Sequence, residues 1–185
     1  MKNTLLLLLV FALSISACRE DDDISGTELR YDGDNQSAPF FPAGEHEVAV
    51  RFPTSTTTSF EGQRLTEIRF YLVNLPSECQ VRVYGPGSPS EPGDLRYQFD
   101  LSGNVQANSW NVHALTEDLS VGAEDLWISV RLVHPVETNT IGCDAGPARQ
   151  DGEWILSTAN NGWETFRDRT SGQVSINWNL RGVVE

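Results

Sequence analysis

Asp32 and Asp34, in Tyr-Asp-Gly-Asp-Asn, and Asp144, two residues before Gly146-Pro147, are loop acids of the kind that hold calcium. That ion takes about six to eight oxygens, mostly carboxylates and carbonyls presented by loops. No EF-hand spacing is present. No cofactor is required: the preferred reading of each acid is the plainer one, that Asp and Gly make turns, with a structural calcium shared between the first segment and the Asp144 segment as the candidate beside it. Nothing else in the chain asks for a cofactor. His46, His113 and His134 share no ligand spacing such as His-Glu-x-x-His, and neither a short nucleophile motif nor a Gly-rich phosphate loop occurs. Glu45 with Glu47, and Glu117 with Asp118, are paired carboxylates of the type a glycosidase sets about 5 to 10 Å apart across a cleft. Among 26 acids such pairs arise from composition alone, so no catalytic residue is expected. Trp154 and Trp163 flank the segment from Ser157 to Gly162 and are candidates for binding a sugar or protein surface, because a large rigid ring gives contact area at little entropy cost. Packing at a hairpin is the competing reading. Trp127 and Trp178 lie within strand patterns and are expected in the core.

Residues 1–17 carry Lys2, an apolar run from Leu5 to Leu13 and then small residues, the grammar of a secretory signal peptide. The run is shorter than the about 20 residues a bilayer span needs. Ile15-Ser16-Ala17-Cys18 resembles the lipobox of bacterial lipoproteins. That resemblance implies cleavage before Cys18 and a membrane anchor of acyl chains, such as palmitate, on it. Arg19 stands where the best studied Gram-negative sorting system reads Asp as a retention signal, which implies an outer-membrane lipoprotein. Glu20-Asp21-Asp22-Asp23 resembles an export tag to the surface-exposed face; otherwise it is a solvated tether. The expected organisation is a signal peptide over 1–17, an acidic tether over 18–26 and one domain over 27–185. Cys79 and Cys143 then remain in an oxidising compartment, where a disulfide is the default. Closing their 64-residue separation (143 − 79) would stabilise the fold by about 4 kcal/mol. Lys2 is the sole lysine, so the mature chain has 13 − 1 = 12 arginines against 26 acids, a net 12 − 26 = −14. Such a surface excludes nucleic acid as a partner, since that binding rests on Lys and Arg neutralising phosphates.

The elements that must position these residues follow a period of two. His46 to Phe52 alternates Val48, Val50 and Phe52 against Glu47, Ala49 and Arg51. Leu65 to Val73, Gln80 to Tyr84, Leu95 to Phe99, Ser109 to Leu115, Asp125 to His134, Glu153 to Thr158, Trp163 to Phe166 and Val174 to Val184 repeat the pattern. Leu126 to Val133 is the most apolar run and is expected to be a central strand. In the last run Val174, Ile176, Trp178 and Leu180 are expected inward, with Ser175, Asn177, Asn179 and Arg181 outward. Gly85 to Gly93, rich in Pro and Gly, is expected as a surface loop. No sustained helical period occurs. Many short strands between turn-rich connections predict an all-β, two-sheet antiparallel β-sandwich.

The order Leu29-Arg30-Tyr31-Asp32-Gly33, Val48 to Phe52, Leu65 to Tyr71, Leu126-Trp127-Ile128, Asp144-Ala145-Gly146-Pro147 and Asn177 to Gly182 resembles the jelly-roll modules related to gingipain cleaved-adhesin domains of Gram-negative surface proteins. The resemblance implies a jelly-roll-like sandwich used for adhesion, sometimes with structural calcium. The resulting expectation is a lipid-anchored, non-catalytic binding module of adhesin type with a protein ligand. A carbohydrate-binding lipoprotein is the alternative, and a β-sandwich carbohydrate hydrolase or lyase the third reading.

Overall fold

The computed structural model describes residues 27–157 and 162–185. The leader, Cys18, the acidic tether and the centre of the segment between Trp154 and Trp163 lie outside the described residues.

Strict alternation of apolar side chains builds two facing antiparallel sheets. In β3 (Gly44–Phe52) Val48, Val50 and Phe52 turn inward, and the strand pairs residue for residue with β8 (Leu126–His134), from Gly44 opposite His134 to Phe52 opposite Leu126. β5 (Glu78–Tyr84) lies on the other flank of β8, so β8 is central, as its apolar run predicts. With β6 (Leu95–Asp100), β10 (Trp154–Ser157) and β11 (Gly162–Thr165) the larger sheet has the order β11-β10-β3-β8-β5-β6. The smaller sheet, from β1 (Thr27–Leu29), β4 (Arg64–Leu72), β7 (Ser109–Ser120) and β12 (Leu180–Val184), has the order β1-β12-β4-β7. The chain changes sheet between β3 and β4, β4 and β5, β6 and β7, β7 and β8, and β11 and β12, which gives the expected jelly-roll-like sandwich. A ribbon of β2 (Phe40–Phe41) and β9 (Thr138–Asn139) lies outside both sheets. Two four-residue helices, α1 (Thr54–Thr57) and α2 (Phe166–Arg169), join strands, and Gly85 to Gly93 forms the expected loop between β5 and β6, held by a Gly93 N–H to Gly85 carbonyl bond.

Val81, Val83, Ile128, Val130 and Leu132 of the larger sheet meet Ile68, Phe70, Leu72 and Leu180 of the smaller one in a single core. Burying one such side chain contributes about 1.5–3 kcal/mol. The sheets approach closely at Gly182, where an added Cβ would lie 2.6 Å from Ile128 Cδ1 and 2.9 Å from Leu65 Cδ1.

The last run departs from expectation. Only Leu180–Val184 is a strand; the preceding residues lie across the fold, with Trp178 bridged to Cys143. Asn177 and Asn179, expected outward, are buried, because their amides serve partners inside rather than water.

The sandwich has two distinct poles. Thr27 pairs with Val184, and Val184 with Leu65, so the described chain begins beside the start of β4. The nine residues of β4 span about 30 Å at roughly 3.3 Å per residue. At the far pole lie the turn after β4, the end of β8 and the β2–β9 ribbon, joined by the Val73 N–H to Thr140 carbonyl and Ser77 N–H to Val133 carbonyl bonds.

Candidate functional site

The two acidic segments do meet, but around donors. Asp32 Oδ2 accepts from Asn179 Nδ2 at 2.7 Å and from Arg181 Nη2 at 2.9 Å. Asp144 Oδ1 accepts the N–H groups of Gly146 and Asn177, both at 2.8 Å, while Oδ2 accepts Asn177 Nδ2 at 2.9 Å and the Gly33 N–H at 3.1 Å. Burial pulls the Asp144 carboxyl up, yet these donors outweigh it and hold it below the usual range. This arrangement favours the turn reading over the calcium candidate: the carboxylate oxygens of Asp32 and Asp144 accept N–H donors, and Asp34 is exposed. Among the described residues no group of three or more His, Cys, Asp or Glu is placed to hold a metal. Gly146, at φ +72°, makes the turn that brings Asp144 to Asn177; a Cβ there would stand 2.1 Å from the Ser175 carbonyl oxygen.

The expected Cys79–Cys143 disulfide is also corrected, since both thiols are free and buried. Cys79 sits in β5 opposite Leu132. Cys143 is bridged to Ser37 and Trp178, with Sγ 3.2 Å from Ser37 Oγ. Burial pushes the Cys79 thiol up to about 12 and raises that of Cys143. A thiol so held is a poor nucleophile, because the thiolate is the reactive form.

On the outer face of the larger sheet Trp154 and Trp163 come together around Trp127, with ring centroids 5.3 and 5.9 Å from it. Trp154 is buried, and its Nε1 donates to Asp151 Oδ1 at 3.2 Å, so packing is its role. Trp163 is half-buried. Beside them Glu47 is buried and saturated: Oε1 accepts from Tyr84 at 2.7 Å and Ser129 at 2.5 Å, and Oε2 from Arg82 at 2.8 Å. Glu45 is committed to Arg131 and Asp118 to Arg64. Glu45, Glu47 and Asp118 thus serve separate arginines, and Glu117 is exposed.

The far pole carries an arrangement that sequence reading missed. Phe40, Leu75 and Val136 are 69%, 56% and 64% exposed. Phe40 lies opposite Asn139 in the ribbon, and Asn74 Nδ2 donates to the Asn139 carbonyl at 2.8 Å and to its Oδ1 at 2.7 Å. This link joins the turn that carries Leu75 to the ribbon that carries Phe40, and Val136 lies just before the ribbon's second strand. Directly inward, Phe41 is buried and stacks on His46 and His134 at 5.0 and 6.1 Å. His46 Nε2 meets the Pro42 carbonyl at 3.0 Å, whereas His46 Nδ1 and both nitrogens of His134 have no hydrogen-bond partner among the described residues. Burial lowers both histidines, His134 to about 4. The pair arises from the β3–β8 register, so spacing along the chain carried no sign of it. The doublet Phe40-Phe41 is a weak signal, since period two must turn one ring outward.

No protein-family model matches the chain, and no curated protein does. Among solved structures, the clostridial cysteine protease Cwp84 after propeptide cleavage is similar over 85% of this chain and 40% of that one, with TM-score 0.59 and 11% identity. A structure of the cysteine protease and lectin-like domains of Cwp84, a surface layer associated protein of Clostridium difficile, aligns over 83% of this chain and 37% of that one, with TM-score 0.49 and 12% identity. The chain spans about two fifths of the length of these structures, and the likeness is one of fold.

Proposed function

We propose that the chain is a lipid-anchored outer-membrane or cell-surface binding module of adhesin type, held through Cys18, which grips a protein partner without catalysis. The observation that carries this reading is the exposure of Phe40, Leu75 and Val136 on the linked segments of the pole opposite the start of the described chain. Singly exposed apolar residues are ordinary, but a group on linked segments marks a contact surface. Exposed Glu137 beside it and the net charge of −13 favour a partner with an apolar centre and a basic rim. The non-catalytic reading is supported by the burial of both described thiols, although the matched fold occurs within a cysteine protease.

The test immobilises the folded domain and measures retention of surface proteins from intact cells, before and after protease or glycosidase treatment. Retention lost on protease treatment, and at least about tenfold weaker in Phe40→Ser/Leu75→Ser/Val136→Ser, is expected; retention unchanged in that variant overturns the reading. Half-buried Trp163 favours glycan binding as the second reading, which loss after glycosidase treatment and in Trp163→Ala supports. Cys18→Ala is expected to abolish palmitate labelling and membrane fractionation.

A further inference from the structure

The far pole is built on an interior that acid attacks. His46 and His134 are 3% and 2% exposed, with ring centroids 5.6 Å apart, and three of their four ring nitrogens lack a hydrogen-bond partner among the described residues. Neutral imidazoles tolerate this; a buried imidazolium without an acceptor does not. The charges facing the pair offer no rescue. Arg169 of α2 acts on His46 in the repulsive sense and lies 3.6 Å from Glu164. Glu45 acts favourably, but its carboxylate is held by Arg131. Glu153 reaches α2 through the Arg167 N–H, and burial pushes its carboxyl up to about 7. The lid over the pair is slight: Phe41 belongs to a ribbon with only two residues in each strand.

We infer that protonation of the His46–His134 pair displaces Phe41 and opens the β2–β9 ribbon, so that the pole lets go of its partner in mildly acidic surroundings. The release rests on the function proposed above; the opening does not. Because burial depresses the folded-state values, the closed form is favoured above the ordinary histidine range and loses that advantage as pH falls from about 6.5 toward 4.

Hydrogen–deuterium exchange, corrected for intrinsic rates, reads the opening with no partner present. Between pH 6.5 and 5.0, protection at Phe40–Phe41 and Thr138–Asn139 is expected to fall about tenfold or more per pH unit, while amides of the β4–β12 pair stay protected. His134→Leu removes no hydrogen bond, and it and His46→Gln should each about halve the steepness on a logarithmic scale, while the double variant should flatten the profile. Unchanged protection in the wild type, undiminished steepness in the double variant, or simultaneous loss across the whole domain overturns the inference. Ribbon opening with undiminished retention of surface proteins at pH 5.0 leaves the switch standing and removes the pole as the binding surface.

Discussion

Asp144 carries the work that a bound ion would otherwise do in the loops. It gathers four N–H groups from three segments, those of Gly33, Gly146 and Asn177 with its amide, and so ties the chain after β1 to the approach to β12. Removing an acceptor from buried donors costs about 1–3 kcal/mol for each donor left unpaired. Two of the donors, the Asn177 N–H and amide, are buried, so Asp144→Ala is expected to lower the thermal midpoint by roughly 4–24 °C, whereas a chelator leaves the wild-type midpoint unchanged; a chelator-sensitive melt would contradict the donor-filled geometry. Because its carboxyl is held below the usual range, this contribution is present above that range and is lost as pH falls through the depressed value. The sequence made the meeting of the Asp32 and Asp144 segments legible, through the resemblance. It did not reveal what fills them, because Asn177 and Asn179 alternate like outward residues and only the tertiary path turns their amides inward.

Strands were legible in their residue types even where both faces are buried, as in β3 and β8. The alternation in β3 and β4 and the unbroken run of β8 name their own faces, and their observed bounds differ from expectation by a residue or two. β12 was legible only in its second half, since its alternation continues upstream through Val174 into residues that pair with no strand. Within it Gly182 faces Ile128 of the opposite sheet and lies against Leu65 of the neighbouring β4. Gly182→Ala is expected to cost about 1–3 kcal/mol through overpacking, read as a lower urea midpoint with an unchanged slope. Gly182→Val should cost more. An Ala variant as stable as the parent would mean that the sheets separate easily there.

At the scale of the molecule, a core contributed by both sheets stands without a covalent brace, as a domain of this length can. Reductant is expected to leave the unfolding midpoint of the described domain unchanged, and Cys79 and Cys143 should react with a thiol reagent only on denaturation; a fall of several degrees in reductant would restore the bridge. The two poles also set a mechanical direction. β1 runs from the near pole toward the far one, bonded to β12 from Thr27 opposite Val184 to Leu29 opposite Gly182. A load applied between the far-pole surface and Thr27 pulls along the strand, so the β1–β12 bonds bear it together in shear instead of peeling one after another. A strand of three residues held in that geometry resists tension far better than its length suggests.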